Sequence, residues 1–207
     1  MLKIIGRKTS SNVQKVLWAC AEMGVKFERQ DAGMQFGVTN TPEYIAMNPN
    51  KLVPTIIDDG FVLWESNSIV RYLAQKHGMG TLCPTDLKVR ASAERWMDWQ
   101  LSTMGSAFSP MFHGLVRTPP DKRDPQAIEK SRANAETKFE IMDSYLGKTK
   151  FLGGDLFSFG DIPLGIYAYR WYAFEGIKRK DLKNLKRWYD DLCKRPGFKE
   201  HVMIGLG

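Results

Sequence analysis

Residues 54–78 read PTIIDDGFVLWESNSIVRYLAQKHG. Two short apolar runs flank Asp59-Gly60, a dipeptide that supplies the positive φ angles of a tight hairpin turn. The pattern then changes to Ile69, Val70 and Leu73 at helical spacing, with Gly78 as a stop. A hairpin feeding a helix needs a partner layer, and the upstream sequence supplies one. LKIIG (2–6) reads as a buried strand. From Val13, apolar residues recur at Val16, Leu17 and Cys20, which predicts an amphipathic helix ended by Gly24. VKFERQDA (25–32) is a second strand, and TPEYIAMNP (41–49) is a short helix stopped by Pro49. The order β-α-β-α-β-β-α predicts an α/β layer unit over residues 1–79.

Beyond it the grammar changes. Residues 80–88, inside HGMGTLCPTD, read as a linker, and everything over 89–207 reads as helical. Val89, Ala93, Trp96, Met97, Gln100, Leu101 and Met104 mark one long helix; Ala135, Phe139, Met142 and Leu146 mark another. In LFSFGDIPLG (156–165), Ser158 and Asp161 have the spacing of a capping box. Ser158 is expected to accept from the Asp161 amide while Asp161 reaches back to the Ser158 amide.

Composition narrows the class. The 207 residues are 43% hydrophobic and 26% charged, ordinary for a globular protein. No apolar run approaches the roughly 18–20 residues of a membrane span, and MLKIIGRKTSS has no signal-peptide pattern, so a cytoplasmic location is expected. Three cysteines and three histidines show no ligand spacing, so neither a metal nor a disulfide framework is expected. The net charge of +7 is concentrated late, in IKRKDLKNLKRWYDDLCKRPGFK (177–199). There Lys183, Lys186 and Arg187 interleave with Leu182, Leu185, Trp188 and Leu192, the pattern of an amphipathic surface helix rather than of a nucleic-acid site.

Three stretches carry the chemistry: TSSNVQKV (9–16), NPNKLVPTI (48–56) and ESNSIVRYL (65–73). In this order, followed by an all-helical half containing FSFGDI and RPGF, they resemble the cytosolic glutathione transferase family over essentially the whole chain, in its theta-, zeta- and nu-like serine/asparagine types. The resemblance implies a thioredoxin-like domain for residues 1–79, an all-helical domain for 89–207, a homodimer, and glutathione as cosubstrate with no metal.

It also implies roles. Pro54 would be cis, turning the Val53 N–H and C=O toward the cysteinyl backbone of glutathione. The chain departs from the family pattern at Lys51 and Leu52, where many members have Gly-Lys; the lysine contact to the glycyl carboxylate would then fall to Lys51. Ser66, read as the N-cap of the third helix, and Asn67 beside it would bind the γ-glutamyl carboxylate at a positive helix end. Glu65 would face the ammonium of the same ligand.

The first helix start would then hold the sulfur. A free thiol has a pKa near about 8.5. Lowering it by about two units needs roughly 2.7 kcal/mol of preference for the thiolate. One hydrogen bond to a charged acceptor, about 1.5–3 kcal/mol, plus the helix dipole supplies that. Theta- and delta-like members place a serine where Ser10 stands. Bacterial members with T-P-N-G-H-K point to Ser10 and Asn12, and Ser11 lies between them. A tyrosine-type enzyme is excluded, because residues 1–20 contain no tyrosine. Cys20 reads as core.

The second substrate, an electrophile, is expected between the two halves. Its lining would come from Met104, Phe108, Met111, Phe112 and Trp171, with His113 and Arg117 as polar contacts. Two alternatives stand beside conjugation: glutathione-dependent reduction of peroxides or disulfides, and a noncatalytic family-fold protein that binds a partner.

Overall fold

The computed structural model describes residues 1–206. By Cα packing the chain forms two compact units: Met1–Thr85 together with Pro196–Ile204, and Asp86–Arg195 together with the last residues.

In the first unit, β1 (Leu2–Ile5), β2 (Phe27–Gln30), β3 (Thr55–Asp58) and β4 (Phe61–Trp64) form one sheet in the order β2-β1-β3-β4. β1 runs parallel to β2 and antiparallel to β3, and β3 pairs with β4 through the expected hairpin. Asp59 and Gly60 both have positive φ, 50° and 89°, as the tight turn requires. The helices are α1 (Ser11–Met23), α2 (Pro42–Met47) and α3 (Ser66–His77). Thr41 caps α2 by accepting from the Tyr44 amide. The sheet and helices close over a core that includes Ile4, Ile56, Val13, Val16, Ile69 and Leu73. This is the α/β layer that the hairpin and its flanks implied, and the thioredoxin-like domain that the resemblance implied.

α1 departs from its expected pattern. Every residue from Val13 to Cys20 is buried, including Gln14 and Lys15, so the helix is enclosed rather than amphipathic. Helix α9 (Pro196–His201), from the far end of the chain, is part of the reason. It packs on α1, with the Phe198 ring edge-on to Trp18 at 4.8 Å.

The second unit is helical: α4 (Leu87–Trp99), α5 (Gly105–Phe112), α6 (Pro125–Leu146), α7 (Asp161–Ala173) and α8 (Lys183–Cys193). The predicted long helix is interrupted by π turns at Gln100–Met104 and His113–Arg117. Pro110 lies inside α5, where a proline disturbs the backbone ladder. Buried Ser131 of α6 accepts from the next amide, Met111, and donates to the Ala107 carbonyl, stitching the two helices at this point. Asp86 and Asp124 cap α4 and α6, each accepting from two first-turn amides.

The predicted capping box forms one of its two arms. Asp161 accepts from the Ser158 amide at 3.0 Å, but the Asp161 amide goes to the Ser158 carbonyl and the Ser158 hydroxyl accepts from Gly160. Ser158 lies three residues before α7 in a tightened turn, which moves its hydroxyl off the expected amide. Asp161 instead becomes a hub, also accepting from the Leu152 amide and Trp188 Nε1, both at 2.8 Å. Full burial pushes its carboxyl up to about 6 against these donors.

The basic stretch behaves as a helix face. Leu185, Trp188, Tyr189 and Leu192 of α8 are buried. Arg187 is recruited structurally: its guanidinium donates to the carbonyls of Leu146, Thr149 and Lys150 at the end of α6.

Candidate functional site

The site is built from the loops that follow β1 and precede β3 and α3. After β1 the chain passes Gly6, where an added Cβ would stand 2.5 Å from Val13 Cγ2 and 3.1 Å from Val53 Cβ. Only a glycine lets the loop before α1 lie against both α1 and the segment before β3. The first two sequence stretches meet there.

Ser10 holds the N-cap position of α1. Its carbonyl accepts the first helical bond, from the Gln14 amide at 2.8 Å, and its own amide donates to Arg7 O. Its side chain makes no capping hydrogen bond. The hydroxyl is therefore uncommitted in a residue only 8% exposed. A serine that merely terminated a helix would spend its oxygen on an N2 or N3 amide. Ser11 and Asn12 take the first two helical positions, half-buried and exposed respectively.

The Val53-Pro54 peptide is cis. Neither backbone group of Val53 pairs with another backbone group among the described residues. The carbonyl before it is firmly held: Tyr44 Oη and Asn48 Nδ2 both donate to Leu52 O, at 2.6 and 2.9 Å. The same two groups meet buried Thr55 Oγ1 at 2.9 and 3.0 Å, and Asn48 Oδ1 accepts from the Asn50 amide. This buried network fixes the Leu52–Thr55 backbone on both sides of the cis bond. Lys51 is exposed, with φ at 57°.

The start of α3 differs from expectation. Glu65, not Ser66, occupies the N-cap position, and it provides no side-chain cap. Its φ of 71° puts a glutamate in a region that costs about 1–3 kcal/mol, the kind of strain that concentrates at functional sites. Ser66 is the first helical residue, and Ser66 and Asn67 are both buried. As a helical residue Ser66 cannot cap its own helix, and its Oγ instead accepts from Lys15 Nζ of α1 at 3.3 Å. That bond joins the first and third stretches.

The residues expected to line an electrophile site belong to the helical unit. Met104, Phe108, Met111, Phe112 and Trp171 are buried there. Phe108 packs edge-on to Tyr167 and Phe139, and Trp171 lies against Phe139. Two cations lie near the Phe112 ring: the Arg170 guanidinium is 4.0 Å from its centroid and that of Arg117 5.8 Å. His113 is exposed, ring edge to Phe112 at 6.0 Å.

Cys20 is fully buried, and burial pushes its thiol up to about 12. Among the described residues no group of three or more His, Cys, Asp or Glu is placed to hold a metal ion. No helix among the described residues is long and apolar enough to cross a membrane. Sequence reading missed Lys15, Tyr44, Asn48 and Thr55. Lys15 carried a faint signal, a lysine one place before buried Val16, but helical period assigned it outward.

These features define a thioredoxin-like layer and a helical unit, and the comparisons supply the family. The family model "Glutathione S-transferase, N-terminal domain" matches residues 3–75, and its C-terminal counterpart matches residues 97–196. The chain belongs to the glutathione S-transferase family. It is 41% identical over 206 residues to glutathione S-transferase GstB of Escherichia coli strain K12, covering 99% of each chain. It is 30% identical over 205 residues to glutathione S-transferase F13 of Arabidopsis thaliana, covering 95% of this chain and 93% of that one. Among solved structures, the theta class glutathione S-transferase of Xanthomonas axonopodis pv. citri, crystallised with glutathione bound, superimposes with a TM-score of 0.96. The identity is 41%, with 100% of this chain and 99% of that one covered.

Proposed function

We propose that this transferase binds glutathione on its first unit and activates the thiol as a thiolate for attack on a small electrophile. The observation that carries the reading is the uncommitted Ser10 hydroxyl at the N-cap of α1. A buried hydroxyl at a positive helix end is a donor waiting for an anion, and a thiolate fits it. The open Val53 peptide suits the cysteinyl backbone of glutathione, paired as an added strand. Ser66, Asn67 and the first-turn amides of α3 suit the γ-glutamyl carboxylate, with Glu65 beside its ammonium. Lys51 is assigned the glycyl carboxylate, and Asn12 assists Ser10.

With the thiolate formed, the sulfur donates an electron pair to an electrophilic carbon, displacing a leaving group with its bonding pair or adding to a double bond. The helical unit is assigned the electrophile, with Phe112, His113 and Arg117 the residues to vary first. A role in detoxification as a cytoplasmic homodimer belongs to the same reading. Disulfide reduction is the weaker alternative, because a thiol as buried and as basic as Cys20 cannot attack a disulfide.

The test is a calorimetric glutathione titration combined with the ultraviolet difference spectrum of the thiolate from pH 5 to 9. Binding with a thiol pKa well below about 8.5 is expected. Binding without thiolate would leave a glutathione site without this activation. No binding at millimolar ligand would overturn the reading in favour of a partner-binding protein.

A further inference from the structure

Lys15 is 0% exposed, in the second turn of α1. Lysine is almost never fully buried without hydrogen-bonding partners, and a cation gains nothing from the positive end of a helix. Local helix stability therefore does not account for its place. The structure gives its ammonium a specific partner in another element, Ser66 Oγ at 3.3 Å, at the first residue of α3.

The direction of that bond matters. An ammonium has three donors and no acceptor, so Lys15 donates and Ser66 accepts. A serine hydroxyl has one hydrogen and two lone pairs. With one lone pair held by the ammonium, the hydroxyl hydrogen must turn away from Lys15, and the O–H it presents is polarised by an adjacent positive charge. Without Lys15, that hydrogen could rotate among the local acceptors. Ser66 would then meet an incoming anion with a lone pair as readily as with a proton.

We infer that Lys15 is a positioning residue for the γ-glutamyl carboxylate of glutathione. It holds the Ser66 hydroxyl as a donor and adds positive charge at the start of α3. The inference rests on the glutathione reading above and adds to it a residue that itself need not touch the ligand.

The experiment compares two ligands on Lys15→Met by calorimetry: glutathione, and 4-aminobutyryl-cysteinyl-glycine, which keeps the ammonium and lacks only the carboxylate. Glutathione affinity should fall about tenfold, the scale of one hydrogen bond to a charged group, while affinity for the analogue stays within about twofold. The KM for glutathione should rise more than kcat falls, and Lys15→Arg should restore most of the preference. Lys15→Met in a Ser66→Ala background should add little, since both act through one hydroxyl. Equal losses for both ligands, or fully multiplicative effects with Ser66→Ala, would reduce Lys15 to a packing residue and overturn the inference. If Lys15→Met is too unstable to isolate, Lys15→Gln, which loses the charge, takes the same comparison with the same two outcomes. A wild-type protein that binds neither ligand would overturn the glutathione reading itself, which is a different failure.

Discussion

The starts of α1 and α7 each carry a serine, and they use it in opposite ways. Before α7, Ser158 and Asp161 are closed on themselves: the carboxylate accepts from Ser158, Leu152 and Trp188, and the serine hydroxyl accepts from Gly160. At α1, Ser10 satisfies no amide with its side chain. Other starts are closed too, by Thr41, Asp86 and Asp124, and at α8 Asp143 of α6 accepts from the Leu185 amide. Of the helices in the first unit, α1 and α3 are left without a side-chain cap by the residue at their N-cap position. A closed start is a stability device; an open one leaves its donors available, and binding is the role proposed for it. The difference is visible only in where the oxygen's bonds go.

That comparison can be broken most forcefully at Asp161. Asp161→Ala should lower unfolding free energy by about 3–5 kcal/mol, since three buried donors lose a charged acceptor. Urea denaturation at pH 7 measures this, and a loss under about 1 kcal/mol would remove the hub role. The same residue predicts a pH effect. Its folded pKa, about 6, is raised above the ordinary carboxyl value of 3.8, so between those values the folded state holds more proton than the unfolded. Its contribution to stability therefore falls as pH rises from about 4 to about 6. The stability gap between wild type and Asp161→Asn should accordingly narrow as pH is raised from 4 to 7. A gap that widens would mean that the three donors outweigh burial.

Ser10→Ala should do the reverse of Asp161→Ala. Conjugation, measured as kcat/KM with an activated chloronitroarene, should fall about tenfold or more, from the loss of one bond to a charged sulfur. Melting should barely move, because no cap bond is lost. If the rate is unchanged in Ser10→Ala and lost in Asn12→Ala, the asparagine takes the role. Asp124→Ala should cost about 1 kcal/mol of stability, the ordinary worth of a cap, with conjugation unaffected. The smallest effect belongs to the basic face. Lys186→Ala removes an exposed i,i+4 pair with Asp190 and should change stability by less than about 0.5 kcal/mol.

Much of the first unit was legible because its signals are local. Asp59-Gly60 specifies the hairpin by φ alone, and Gly24 ends α1 in the left-handed conformation at 65°. What stayed hidden depends on distant chain. Gln14 and Lys15 read as a polar face because helical period cannot know that α3 and α9 cover it. Ser66 read as a cap because serine is a preferred one, yet Glu65 takes that position in a backbone conformation that no propensity favours. Tyr44, Asn48 and Thr55 are unremarkable singly and become a network only when β3 is in place. The π turns of the long helix left no mark in its apolar spacing. At the site itself, sequence pointed to Ser10 without revealing that its hydroxyl is unspent.

The return of Pro196–Ile204 to the first unit has a consequence for how the molecule can be cut. Gly197 sits so close to α1 that an added Cβ would meet Ala21 Cβ at 2.8 Å, and Phe198 covers Trp18. The unit that carries Ser10 is therefore not a contiguous gene segment. An expression fragment ending at Thr85 would expose the Trp18 side of α1 to water, and a chimera exchanging that unit would have to transplant both ends of the chain together. On the ribosome, too, α1 waits for residues 196–204 to emerge before α9 can dock on it.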